Sequence, residues 1–491
     1  LSFIRRARAA VRAFTARYDA ASTGRRSRVW GAVNGGPNIP AANLPTLRNR
    51  ARDAVRNDAL ADSAVDTAVT NIIGTGIKPQ FATPDAGLNA ELATMWLDWT
   101  DEADPAGQLD FYGLQALAVR SMIEGGDSFG RFRLRRAEDS LTVPLQIQVL
   151  EGEFCPAEKS EMNGGNSIVS GVEFTPFGQR AAYWMYREHP YDGTNPRIQA
   201  GLPARVPASE VFHLMAVRRP GQVRGEPWLT RALVKLNELA QYDDAELMRK
   251  KIAAMFVGFR RRPVPEGMSA DELAEAWGTA DAEVDDGVGH VSMEPGTMQE
   301  LDPGEDVEFT NPVDVGGNYE AFLRAQKRLV ASAAGALYEQ VTGDYSQVND
   351  RTFRAAVNEF RRRCQMWQHH NAVYQMCRPT HRRWMAAGVL SGVIRPPRRM
   401  AERDLLRVKW VPQGWSYIHP VQDVQSQQMA VRSGFKSRAE VVSEQGYDAE
   451  QIDAEQAADN ARADAAGLSY DSDGRRALTD PTKTTEQTEN A

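Results

Sequence analysis

From Pro263 to Glu320 the chain carries sixteen Asp or Glu and not one Lys or Arg. A surface helix usually mixes its charges, so a stretch this long with a single sign is more than an ordinary solvated face. Alone it would read as an acidic solubilising module. Pro263, Pro265, Pro295 and Pro303 mark it as a small mixed subdomain between two helical runs. The basic residues collect elsewhere. Residues 1–60 hold twelve Arg against three acids, and residues 351–399 hold eleven against one. The formal charge of −7 therefore hides a segregation that calls for a partner.

A chain of 491 residues exceeds what one core can serve, so two or more domains are expected. Hydrophobic residues at 42% and charged ones at 25% suit a soluble protein. No apolar run approaches the roughly 18 residues that a membrane span needs, so no membrane partner is expected. Three cysteines, Cys155, Cys364 and Cys377, are too few for a disulfide framework and fit a reducing interior. The start, LSFIRRARAAVRAF, breaks its apolar positions with arginines and reads as an amphipathic helix, without the continuous core of a secretory signal.

Helical spacing runs from residue 43 to 73 and stops at GTGIKP. A second helix holds Trp96 and Trp99, and FYGLQALAVRSMIEGG a third. Alternation in FGRFRLR, LQIQVL, AAYWMY and EVFHLM predicts one sheet of about five or six strands packed on those helices. Helix returns after Gly225-Glu226-Pro227 and continues to Gly258, about 30 residues or roughly 45 Å. It resumes at YEAFLRAQKRLVASAAG, ends at Gly335, and restarts with TFRAAVNEFRRRCQMWQHH after the polar stretch YEQVTGDYSQVND. Further short helices follow over 418–468. The tail from about Gly467 is polar and expected to be disordered.

Catalytic signatures are missing. GGDSFGRF has spaced glycines, but it lacks the Lys of a phosphate loop and precedes a strand, so it reads as a helix-to-strand turn. No Gly-x-Ser-x-Gly elbow occurs, and Ser346 has no nearby histidine. Cys364, His369, His370, Cys377 and His381 form the densest set of possible metal ligands. The paired spacings of zinc sites are missing, and Pro379 should break or kink the helix before His381, so the set reads as a half-buried aromatic face. DAEVDD and DPGEDVE could pair carboxylates for a divalent metal, which makes a metal-dependent nuclease using residues 263–320 the alternative reading. No catalytic residue, cofactor or metal site is predicted.

The runs RRPGQVRGEPWLTRAL, LNELAQYDDAELMRKKIAAMF, GTMQELDPGEDVEF and YEQVTGDYSQVN occur in that order. TGRRSRVWG and LRNRARDAVRNDALADSAVDTAVTNIIGTGIKPQ precede them, and WVPQGWSYIHPVQDVQSQQMAVRSGFKSRAEVVSEQGYD follows. Together they resemble the lambda-type portal proteins of tailed bacteriophages, to about residue 468. One departure stands out: family members commonly follow the loop with Asn-Tyr-Ser-Ser, whereas here Asn349 is followed by Asp350, Arg351, Thr352 and Phe353.

The resemblance implies an α+β portal fold: a mixed α/β wing, a helical stem, a small α/β clip and a C-terminal helical crown. It assigns 1–225 to the wing, 226–258 to a stem helix, 259–318 to the acidic clip and 319–336 to a second stem helix. Residues 337–351 become the channel loop, 352–412 a long helix with the wing return, 413–468 the crown, and 469–491 the tail. It further implies a ring, usually of twelve copies, at one capsid vertex, passing double-stranded DNA without reading its sequence. Terminase (the packaging ATPase), the major capsid protein, scaffold and a head-completion or adaptor protein are the implied partners. The implied location is the virion, after assembly in the bacterial host cytoplasm.

The implied DNA-channel residues are Gln340, Thr342, Asp344, Tyr345, Ser346, Gln347 and Asn349. Asp285, Asp286, Glu305 and Asp306 become the partner-docking acids of the clip. For Arg351, Arg354, Arg361, Arg362 and Arg363 two readings stand, DNA phosphates or acids of a neighbouring subunit. The second is preferred, because ring contacts must specify orientation. Elementary geometry agrees with a conduit: twelve helices about 10–12 Å apart enclose a bore of roughly 28–35 Å. An acid-rich ring would also repel a polyanion bearing about one charge per 1.7 Å and keep it sliding.

Overall fold

The computed structural model describes residues 35–38, 43–192, 201–255, 259–260, 267, 299–300, 319–470 and 473–475. The expectations for the basic N-terminal stretch, for most of the acidic segment and for most of the tail fall outside these residues.

The helix expected over 43–73 is two helices, α1 (Leu44–Asn57) and α2 (Ala59–Ile72). Asp58 separates them. Its backbone is extended, and its Oδ1 accepts from the amides of Leu60 at 2.8 Å and Ala61 at 3.1 Å, so a capping residue interrupts the apolar period. After the short β1 (Lys78–Phe81), α3 (Ala86–Glu102) and α4 (Phe111–Gly125) start on the caps Asp85 and Asp110. Gly126, at φ +86°, ends α4.

The strands form two main sheets where one was expected. β2 (Asp127–Leu134) lies between β3 (Leu145–Glu151) and β9 (Val211–Met215), antiparallel to both. An antiparallel meander joins β4 (Glu161–Asn163), β5 (Asn166–Val169), β6 (Val172–Phe174), β7 (Arg180–Met185) and β8 (Ala204–Pro207). Both edges of β2 are occupied, and side chains alternate across a strand, so the three-stranded sheet has two apolar faces. Phe132, Ile147, Phe212 and Leu214 join the helical core. Phe129, Leu150 and Val211 join a second core with Val172, Tyr183, Met185 and Val206 of the meander.

A 3-10 turn at Trp228–Arg231 leads into α5 (Leu233–Met255), where a single helix from Pro227 was expected. The two-residue strands β10 (Phe259–Arg260) and β11 (Gln299–Glu300) pair in parallel. α6 (Tyr319–Ala334) returns along α5: the Tyr319 hydroxyl donates to Asp243 at 2.9 Å, and Tyr242 meets Tyr319 and Phe322. α7 (Tyr338–Thr342) and the loop precede α8 (Asp350–Trp367).

Pro379 does not break the following helix. α8 continues as a π-helical segment, Gln368–Cys377, into α9 (Arg378–Ser391). The Arg378 amide bonds back to the Val373 carbonyl, five residues earlier, and Pro379 falls in the first turn of α9, where a missing N–H is tolerated. The segment closes the open edge of β9, because Gln375 accepts from the Met215 amide at 2.8 Å and Asn371 donates to its carbonyl at 2.6 Å. After α10 (Glu402–Leu405), β12 (Val408–Val411) pairs with β1. α11 (Pro420–Arg432), α12 (Arg438–Glu444) and α13 (Ala449–Ala466) follow, and none of the three holds a buried residue. Among the described residues no helix is long and apolar enough to cross a membrane.

One ionic group joins these layers. Asp127, at the start of β2, is wholly buried and accepts four hydrogen bonds. Oδ2 takes Arg48 Nη2 at 2.5 Å and Arg224 Nε at 2.8 Å, and Oδ1 takes His213 Nε2 at 3.0 Å and the Gly225 amide at 2.6 Å. Arg224 also donates to the carbonyls of Gly152, Cys155 and Ser170, and Arg48 to that of Gly125. Such bonds hold the Asp127 carboxyl far below its ordinary range, led by Arg224 and His213, against the opposing effect of burial. A Cβ at Gly225 would stand 1.9 Å from the Gly126 carbonyl oxygen, so the two backbones meet there only because both residues are glycine.

Burial lowers His213 to about 4, and Arg180 Nη1, 3.3 Å from Nδ1, faces the nitrogen that a second proton would need. His381, packed among Phe81, Trp96 and Trp384, is likewise lowered to about 4 by burial. Between the ordinary value of 6.5 and about 4 the unfolded chain binds these protons and the folded chain does not. Stability should therefore fall as pH drops through that window, by about 1.4 kcal/mol per unit for each histidine. Melting temperatures at pH 7 and pH 5 check this, and His381→Phe should shrink the difference between them.

Candidate nucleic-acid interface

The loop between α7 and α8 is built on a fixed base. Gly343 ends α7 at φ +69° in the left-handed region, and Asn349 Oδ1 starts α8 by accepting from the Arg351 amide at 3.1 Å. Between them Asp344 turns the chain. Its Oδ1 accepts from the Ser346 amide at 3.1 Å and the Ser346 hydroxyl at 2.6 Å, and its Oδ2 from the Tyr338 hydroxyl at 2.8 Å. Arg324 of α6 reaches the same Oδ2 at 3.2 Å, and the Arg328 guanidinium lies 5.3 Å from the Tyr338 ring centroid. Hydrogen bonds from Ser346 and then Tyr338 lower the Asp344 carboxyl to about 2. Desolvation, then Asp344, raises the Tyr338 phenol.

Each loop residue predicted from sequence has its place. Thr342 donates its hydroxyl to the Tyr338 carbonyl, and Ser63 of α2 ties α7 down by donating to the Val341 carbonyl at 2.6 Å. Gln340 faces α2, with a buried Oε1 that has no donor. Tyr345 packs edge-on to Phe353, ring centroids 5.8 Å apart. Ser346, Gln347 and Asn349 are exposed. Asp344 and Asn349 spend their side-chain oxygens on the loop's own shape, whereas Gln347 leaves its amide open to solvent.

The five arginines do not act as one patch. Arg354 Nη2 pairs with Asp423 of α11 at 3.1 Å. Arg361 donates to the Ser416 carbonyl at 3.0 Å over the Trp415 ring, and Arg363 to the Gly335 carbonyl at 2.8 Å. Arg351 and Arg362 are exposed. Arg354, Arg361 and Arg362 border a cleft of about 620 Å³ between α8, β12, α11 and α12, which Lys409, Trp410 and Trp415 also line. The acids Asp285, Asp286, Glu305 and Asp306 lie outside the described residues.

The possible metal ligands do not converge. His369 and His370 are exposed, while Cys364, Cys377 and His381 are buried. Desolvation pushes the Cys364 thiol up to about 12 and the Cys377 thiol further, which keeps both protonated. Sequence reasoning did not single out Glu151, Glu153 and His189, whose ligand atoms lie within 4.8 Å of one another. A cation already sits there. The Arg52 guanidinium meets Glu153 at 2.6 and 3.0 Å and Glu151 at 3.2 Å.

Residues 23–368 match the family model for the phage portal protein, lambda family. The chain belongs to that family. It is similar to the probable portal protein of Halomonas phage phiHAP-1, 23% identical over 428 residues that cover 83% of this chain and 78% of the relative. It is also similar to portal protein B of Escherichia phage lambda, 20% identical over 477 residues that cover 88% of this chain and 86% of the relative. A chain from the neck of a native gene transfer agent particle aligns over 85% of this chain and 97% of its own length, at 15% identity and a TM-score of 0.40. At that TM-score the likeness says nothing about how copies of this chain assemble. Family membership leaves the nuclease alternative without support.

Proposed function

We propose that copies of this chain form a ring, of twelve by the family resemblance, at one vertex of a capsid, and that double-stranded DNA passes through its bore during packaging and ejection. The loop carries the reading. From Gly343 to Asp350 it holds no Lys or Arg, and it presents small polar groups on a base fixed by Arg324, Asp344 and Tyr338. Amide and hydroxyl groups make short contacts with phosphates that break easily, whereas a ring of arginines would bind the cargo and stall it.

In this reading residues 1–225 and 352–412 are the wing, 226–258 and 319–336 the stem, 259–318 the clip, 337–351 the channel loop and 413–468 the crown, with 469–491 a polar tail. The clip docks terminase and later the head-completion protein. The major capsid protein and scaffold surround the wing. A separate ATPase supplies the energy, and the protein resides in the virion after assembly in the host cytoplasm.

The mass of the purified protein tests the ring. Twelve chains of 54.4 kDa should appear by native mass spectrometry as a particle of about 0.65 MDa. A stable monomer that cleaves plasmid DNA with magnesium would overturn the conduit and restore the nuclease.

A further inference from the structure

We propose that the acidic outer face of α2 on one copy receives Arg351 of the next copy, a contact that rests on the ring reading above. α2 turns Ala61, Ala64, Val65, Ala68 and Ile72 into the core. At about 100° per residue, Asp62 and Asp66 then point well away from it. Arg120 crosses from α4 to Asp62 at 2.7 Å, to Asp66, and to Glu124 of its own helix at 2.6 Å. One guanidinium serves both α2 carboxylates and shares itself with Glu124, so the α2 face stays net negative. It borders an open cavity of about 470 Å³ whose other wall is Gln340 and Tyr345, at the level of the loop base.

Arg351 supplies what that face lacks. α8 packs against α2 and buries Val357, Phe360 and Cys364, and Arg351 lies roughly a third to a half of a turn round the helix from each of them. It is exposed, and among the described residues its side chain meets no acid. The acidic face and Arg351 therefore lie on opposite sides of the packed α2–α8 pair, as a head-to-tail contact requires. Cyclic symmetry also demands that the two patches share one height along the axis. Tyr345 lines the cavity and packs on Phe353, two residues from Arg351, so the loop base links the cavity to the start of α8.

Charge reversal with rescue tests the pairing. Arg351→Glu and Asp66→Arg, each alone, should raise the protein concentration needed for half-assembly, read by mass photometry, at least about tenfold. Asp66→Arg leaves Asp62 and Glu124 to hold Arg120, and circular dichroism melts matching the wild type would show that both variants fold. Arg351→Glu combined with Asp66→Arg should assemble at close to the wild-type concentration. Either single variant assembling like the wild type, or a double variant no better than the worse single one, would overturn the contact while leaving the ring standing. A wild-type chain that forms no ring would remove the ring reading and this contact together.

Discussion

Asp127→Ala should destabilise the folded chain by about 3–5 kcal/mol, the cost of leaving buried charge without its partner. Arg48 and Arg224 are almost wholly buried and approach the same oxygen, so removing the carboxylate strands two guanidinium groups with no access to water. Asp127→Asn should fare little better. Each carboxylate oxygen accepts from two donors, so the amide nitrogen of an asparagine would face two N–H groups whichever way it turned. Urea denaturation of the variants against the wild type measures the effect. Glu153→Gln serves as the comparison, because its partner Arg52 is only partly buried, and its cost should be clearly smaller. The Asp127 carboxyl is lowered on folding, so its contribution is complete above the ordinary carboxylate range and is lost as pH falls towards the folded value. The hub joins α1, the α4–β2 junction, β9 and the approach to α5, and its failure should loosen all four together.

The second large effect concerns the loop. With Asp344, Gln347 and Asn349 all replaced by Ala, DNA retained per assembled particle should fall by about an order of magnitude. The single variants should separate two causes. Asp344→Ala removes the acceptor for Ser346 and Tyr338 and the partner of Arg324, and should account for most of the loss by letting the loop collapse. Gln347→Ala removes an amide without a role in the loop's shape, so ring assembly and melting should stay as in the wild type while retention falls by less than in Asp344→Ala. Quantifying packaged DNA in particles assembled with each variant checks both. Packaging and retention unchanged in the triple variant would end the loop's role in the channel.

Much of the frame was legible in the sequence. Helix ends at Gly126, Gly335 and Gly343 lie where the glycines are, because only glycine takes the left-handed backbone cheaply. Two of the expectations that failed show where a local pattern misleads. The apolar period over 43–73 runs straight through Asp58, whose carboxylate starts a new helix. Pro379 looks like a stop, but the π segment before it is held by side chains that bond to β9 and α2, distant partners that no local pattern reveals.

The same division applies to the site. Periodicity, glycines and capping residues act within a few positions along the chain, so the sequence by itself determined the element types, the polar loop and the segregation of charge. The tertiary structure alone decided which polar groups are free. Asp127 came from a stretch legible only as a turn, and it is the centre of a buried network because Arg48, His213 and Arg224 arrive from about 80 to 100 residues away. Arg354, Arg361 and Arg363 look equivalent to Arg351 and Arg362 in sequence, yet the first three are engaged within the chain. Burial and pairing depend on which segments meet, and long-range packing sets that.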